Sequence, residues 1–248
     1  MRPELWLSAK YLRKHKRTPA FFISLVAMLG VAIGVAVLIV VLSVMNGFDR
    51  HLKEKLLGFN YHMNAYVSGP DYELAGRIDD VDGVRNAVLI AQIQTAVRHE
   101  KMIAPAILTG ISYNEQEREY WQDYLVHGDL SGLVIGRILM ERLGLNIGDN
   151  LGVFDPDTLK PVEYPITGYF EVGLYDLDNT VLAIPLEGNQ KFFEKVPDAW
   201  AVGIRLFDPG NAPRLKRELY QADLTGLEFI RTWYEQNRTL FAALSLER

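Results

Sequence analysis

Side chains able to do covalent or metal chemistry are few and scattered in this sequence. It has no cysteine, which excludes a disulfide framework, a thiolate zinc site and a cysteine nucleophile. The five histidines, at positions 15, 51, 62, 99 and 127, include no i, i+4 pair beside a carboxylate, the spacing a helical metal site uses. Asp79, Asp80 and Asp82 cluster before Gly83 and fit a solvated turn better than a general acid/base pair. No serine lies in a GxSxG context, and neither GxxxxGK[ST] nor GxGxxG occurs. The chain is therefore expected not to bind ATP itself. What remains is non-covalent chemistry, and its most concentrated source is apolar.

Between Arg17 and Asp49 no residue is charged, a run of 31 positions. As a helix rising about 1.5 Å per residue it exceeds the ~30 Å hydrocarbon core of a bilayer. Residues 1–20 carry six bases and one acid, a net +5, and the remainder carries −10, together the −5 of the chain. The positive-inside rule keeps the basic N-terminus in the cytoplasm and places the residues after Phe48 outside. A cleaved signal peptide is the competing reading; its apolar region would be about 7–15 residues long, with a small-x-small cleavage site. This run is longer and ends in VMNGF, without such a site. The acidic outer part disfavours nucleic-acid binding.

The elements that must position this run are legible in outline. Residues 4–16 place Leu5, Ala9 and Leu12 on one helical face beside Lys10, Arg13, Lys14 and Lys16, either an interfacial amphipathic helix or a plain basic flank. Thr18-Pro19 suits a helix start. Gly30 and Gly34 form a small-xxx-small pair, which either lets another helix approach or reflects the frequency of glycine in membrane helices. A charged stalk extends from there to about Gly58. Beyond it the pattern is α+β. Strands are expected near 62–67, 88–98, 103–109, 151–154, 164–170, 180–184, 201–207 and 227–230. Helices are expected at 72–78, 135–143, 186–193, 212–221 and from Thr232 onward.

Four stretches together carry a family likeness. GVAIGVAVLIVVLSVMNGFDRHL (Gly30–Leu52) resembles the first span of the LolC/LolE permeases of the lipoprotein-releasing ABC transporter. VIGRILMERLGLNIGDNLGVFDP (Val134–Pro156), YFEVGLYDLDNTVLAIPL (Tyr169–Leu186) and TWYEQNRTLFAALSLER (Thr232–Arg248) resemble later family segments in order and spacing.

The resemblance implies a transmembrane helix followed by an extracytoplasmic porter/sabre domain of the MacB-like periplasmic core type. Residues 1–18 would be a cytoplasmic amphipathic basic helix, 19–58 the first span with its stalk, and 59–231 the periplasmic domain. Within that domain the porter would take 59–98 and 199–231, and the sabre 99–198. Residues 232–248 would lead to a second span, so a subunit with four spans is expected to continue past Arg248. The implied partners are a cytoplasmic ABC ATPase that binds the ATP, a second permease subunit, triacylated lipoproteins, membrane lipid and a periplasmic lipoprotein chaperone. The link Asp155–Tyr164 is short for the chaperone-gripping hairpin of LolC-type subunits, which favours a LolE-like or undifferentiated homodimeric subunit. On this likeness Leu42, Met45 and Phe48, at the outer end of the span, are expected either to line a lipid path between two permeases or simply to pack against a helix or lipid. The alternatives are a related mechanotransmitting permease (peptide or antibiotic export, or cell-wall hydrolase control) and a single-span anchored binding domain. A hidden enzyme is the third.

Overall fold

The computed structural model describes residues 19–194, 196, 199–222 and 224–237; the basic segment 1–18 and the continuation from 238 lie outside the described residues. Two compact units meet at Lys53/Glu54.

The first unit contains most of helix α1 (Pro19–Phe59, 41 residues). Proline at its first position fits a slot whose N–H has no intrahelical partner. Its stretch Phe21–Met45 is long and apolar enough to cross a membrane. Large side chains along it stand open, among them Val31 and Val44, each about two-thirds exposed. An apolar surface this large is not left in water by a folded domain.

The second unit is α+β. Chain order gives β1 (Met63–Val67), α2 (Tyr72–Asp79), β2 (Val84–His99), β3 (Met102–Ile111), α3 (Glu115–Gln122), β4 (Leu125–Gly128) and β5 (Leu133–Gly136). Then come α4 (Arg137–Leu143), β6 (Asn150–Phe154), β7 (Pro161–Phe170), α5 (Tyr175–Thr180), β8 (Val181–Pro185), β9 (Trp200–Leu206), α6 (Ala212–Gln221), β10 (Leu227–Thr232) and α7 (Trp233–Gln236).

Strands β10-β1-β9-β2 form an all-antiparallel layer. With α2 and α6 as crossovers, this is the split β-α-β arrangement. Period-two alternation turns Met63, Ala65 and Val67 toward α2 and α6, whose Leu74, Ile78, Leu215 and Leu219 complete one core. The hairpin β2–β3 leaves this layer and carries a second assembly. Successive pairs β2-β3, β3-β8, β8-β5, β5-β7, β7-β6 and β6-β2 close six strands on themselves. Closure leaves those ladders without an open edge. The face of the first layer turned away from α2 and α6 carries Asn64, Tyr66, Ala201, Arg205, Val88 and Ile90, a placement that comes from the strand registers. There Phe59, Trp121, Phe170 and Val172 build a second core.

Two expected elements differ. The helix expected at 186–193 is reduced to a 3₁₀ turn, Gln190–Phe192. Leu186 N–H still bonds Ile111 C=O, prolonging the strand pairing, and Gly188 turns the chain at φ +84°. The helix expected at 135–143 begins only at Arg137. A Cβ on Gly136 would come within 2.4 Å of Asp178 C=O, so the chain passes here as a strand in close contact. Helix α3 is absent from the expected elements, its sequence EQEREYWQ being mostly polar.

Candidate functional site

Leu42 and Met45 stand one turn apart on α1, Leu42 about half exposed and Met45 partly buried. The backbone of Phe48 continues the helix one turn further; its side chain lies outside the described residues. A Cβ built on Gly30 or Gly34 meets nothing within 4 Å. The strip is open, as a helix facing lipid or a separate partner requires.

A second, denser site lies in the α+β unit, where α1 ends. Helix C-termini leave carbonyls without intrahelical donors, and here side chains supply them. Asn60 Nδ2 donates to Leu56 C=O at 3.1 Å, and His62 Nε2 stands 3.1 Å from Leu57 C=O. Arg205, on β9, donates through Nη1 to Phe59 C=O at 3.1 Å and to Asn60 C=O at 3.2 Å. A cation at this end also complements the helix dipole. The other edge of the same guanidinium meets Glu117 of α3, with Nη2–Oε1 at 3.1 Å and Nε–Oε2 at 3.3 Å.

Glu117 is fully buried and Arg205 nearly so. Such a pair persists only if the remaining lone pairs and protons are satisfied. They are: Tyr61 O–H donates to Glu117 Oε1 and Asn86 Nδ2 to Oε2, both at 2.8 Å. Asn114 donates through Nδ2 to Asn86, while its own Oδ1 caps α3 by accepting Glu117 N–H. The guanidinium lies 4.4 Å from the Tyr61 ring centroid and 3.5 Å from that of Tyr120, a cation–π sandwich. Burial alone would lower the Arg205 pKa, but the Glu117 carboxylate and the two phenols raise it above its ordinary value. Burial, then the same carboxylate, pushes the Tyr61 phenol well up.

An aromatic wedge completes the attachment. Phe59, the last residue of α1, stacks on Phe170 at 5.4 Å and meets Trp121 and Tyr124 edge-on. Lys55 Nζ donates to Gly173 C=O at 3.2 Å. The helix end is thus held by a charged fork from β9 and α3, by two capping side chains from the short link to β1, and by its own aromatic ring. This arrangement anchors the helix end; among these residues there is no nucleophile–base pair.

The scattered titratable groups have structural tasks. His62 Nδ1 accepts Leu206 N–H at 2.8 Å, so the ring is neutral with its proton on Nε2. Burial lowers its pKa to about 4. Asp79 Oδ1 accepts Ala87 N–H, fixing the turn before β2. Among the described residues no three His, Asp or Glu side chains group as a metal site would require. Sequence reasoning misses the fork although a signal exists: Arg205 is the one charge in WAVGIRL, a strand buried along its whole length. A central-strand arginine needs a buried acid, but nothing in the sequence says that the acid is Glu117.

Comparison with known proteins adds the family. A model of the MacB-like periplasmic core domain matches residues 24–222. The lipoprotein-releasing system transmembrane protein LolC of Neisseria meningitidis serogroup B is 27% identical over 99% of this chain and 64% of its own length. LolC of Xylella fastidiosa is 27% identical over 98% and 63%. LolE of Haemophilus influenzae is 22% identical over 100% and 65%. The chain thus spans slightly less than two thirds of the length of these relatives. The periplasmic region of MacB from Actinobacillus actinomycetemcomitans superposes with a TM-score of 0.48 at 11% identity, covering 74% of this chain and 94% of that one.

Proposed function

Since the chain belongs to the MacB-like periplasmic core domain family, we propose that it is the N-terminal part of an inner-membrane permease subunit that extracts lipoproteins from the membrane. The similarity to LolC over 99% of this chain and 64% of that protein carries this reading. On it, α1 spans the membrane with its N-terminus in the cytoplasm and the α+β unit on the far side. A separate ATPase subunit binds and hydrolyses ATP, and a second permease subunit faces this one. Leu42, Met45 and Phe48 contact acyl chains between the two permeases, while Gly30 and Gly34 take a neighbouring helix. A periplasmic chaperone receives the cargo.

The clasp at the end of α1 gives this reading its mechanics. Movement of the span reaches the outer domain through Phe59 and through carbonyls gripped by Arg205. A chain held there only by a loop would dissipate it. No chemistry is asked of the outer domain, in keeping with a permease that is not itself an enzyme.

The test is lipoprotein release from proteoliposomes holding the full-length subunit, its ATPase and its partner permease. Met45→Glu and Phe48→Glu place a charge in the acyl path. They are expected to cut release at least tenfold while leaving the assembled complex intact on size exclusion. Release at the parental rate in both variants would remove the acyl-path assignment.

A further inference from the structure

The end of α1 carries a second polar attachment, separate from the Arg205 fork. Lys55 and Phe59 stand four residues apart on α1, so they lie one above the other on one helix face. Phe59 enters the aromatic core, and Lys55 Nζ donates to Gly173 C=O at 3.2 Å. The receiving loop, residues 171–174, joins β7 to α5. Glycine fits at 173 for two reasons: φ is +76°, and a Cβ would lie 2.3 Å from Lys55 Nζ. Asp178 of α5, 2% exposed, shapes this loop from inside. Its Oδ1 accepts Val172 N–H at 2.7 Å and its Oδ2 accepts Gly173 N–H at 2.9 Å. Its own N–H returns to Leu174 C=O at 3.0 Å. Among the described residues no basic side chain pairs with Asp178 and no carboxylate pairs with Lys55. A buried carboxylate is costly without compensation. Two amide donors offset part of that cost, and Lys55 brings a positive charge to the far side of the same residue, Gly173.

We propose that Lys55 and Asp178 are positioning residues for transport. A turn can be closed by a neutral Asn or Ser, so the buried charge of Asp178 has a use beyond shape: it makes the loop an acceptor for the cation on α1. Gly173 C=O is the seat, and the bond it accepts from Lys55 is charge-assisted. Two contacts one turn apart on one face, Phe59 and Lys55, fix the rotation of the helix end about its own axis. A single ring contact would leave it free to roll. The fork has a different task. Arg205 belongs to β9 of the four-stranded layer and grips the Phe59 and Asn60 carbonyls, whereas Lys55 reaches the loop that leaves β7 of the closed six-stranded assembly. Polar side chains thereby tie α1 to both parts of the domain. This proposal rests on the permease reading in one respect: the load that the anchor resists is then the motion of the span during transport.

The test uses the full-length subunit with its ATPase and partner permease in proteoliposomes and reads lipoprotein released per ATP hydrolysed. Lys55→Met keeps a long apolar stem and removes the donor; it is expected to lower that ratio about fivefold. Lys55→Arg returns a cation to a site with a single acceptor and is expected to recover the ratio to within about twofold of the parent. Asp178→Asn turns one acceptor into an amide that faces a backbone N–H. Combined with Lys55→Met it is expected to add little to the loss, because both act on one link. Amide exchange on the full-length subunit in lipid nanodiscs supplies a readout independent of transport. Exchange at Val172 and Gly173 is expected to rise severalfold in Lys55→Met while β9 stays protected. Lys55 is only partly buried, so this variant carries the test should Asp178→Asn fold poorly. Unchanged exchange at the loop, an unchanged ratio, or an arginine variant no better than the methionine one would each overturn the proposal. A parent complex that releases no lipoprotein, with the exchange response present, would remove the release reading and leave the anchor standing. Release by the parent without the exchange response would do the reverse.

Discussion

At the scale of single residues, the behaviour of the α+β domain turns on Arg205, Glu117 and His62. Arg205→Met leaves the fully buried Glu117 without its cation, an imbalance that typically costs about 3–5 kcal/mol. Adding Glu117→Leu removes the stranded charge and is expected to restore most of that loss. Chemical denaturation of the two variants reads the difference, and a double variant no more stable than Arg205→Met would contradict the clasp energetics. His62 sets a pH dependence. Its pKa is about 4 when folded and ordinarily 6.5, so the unfolded chain takes up the proton first as pH falls. The stabilisation held by the neutral ring is complete above about pH 6.5 and is lost progressively down to about pH 4, with no further loss below. A gap of about 2.5 pH units corresponds to roughly 3 kcal/mol. Denaturation midpoints between pH 7 and 4 should therefore fall less steeply in His62→Gln than in the parent.

At the scale of elements, strand pairing depends on close backbone approach at a few glycines. Gly128 has φ +89°, and a Cβ there would lie 2.0 Å from Thr167 C=O on the partner strand. Gly188 has φ +84° but open space around it. Gly188→Ala is expected to cost only the left-handed backbone penalty, about 1 kcal/mol, whereas Gly128→Ala must also push β4 from β7 and is expected to cost clearly more. Equal shifts in melting temperature would contradict this. Phe59→Ala is expected to cost about 3–5 kcal/mol, because its ring fills the space among Trp121, Tyr124 and Phe170. Much of this element scale is legible in the sequence. Alternation at 63–67 and the apolar sets of α2 and α6 are local patterns, and the charge-free run needs only counting. The rest is not, since its causes are non-local. Gly136 ends a strand because of a backbone 42 positions away, and α3 buries a glutamate, Glu117, because its partner Arg205 comes from β9. The apolar pair Phe192-Phe193 packs into the core from the end of a single 3₁₀ turn, without an α-helix.

At the scale of the whole molecule, a membrane-length apolar helix and an α+β domain share one continuous element, α1, whose last carbonyl, that of Phe59, is held by Arg205 of β9. On the proposed function this junction is where motion passes. Arg205→Lys keeps the charge but loses the planar fork, so it is expected to slow lipoprotein release severalfold while the complex still assembles; unchanged release would argue against mechanical coupling through the clasp. The most direct test of the central proposal is depletion of this protein in its native cell, with membrane fractionation of a lipoprotein normally found in the outer membrane. The mature lipoprotein is expected to accumulate in the inner membrane as the protein is lost, and re-expression of the full-length gene is expected to reverse this. A lipoprotein that keeps reaching the outer membrane at its normal rate after depletion would contradict the proposal.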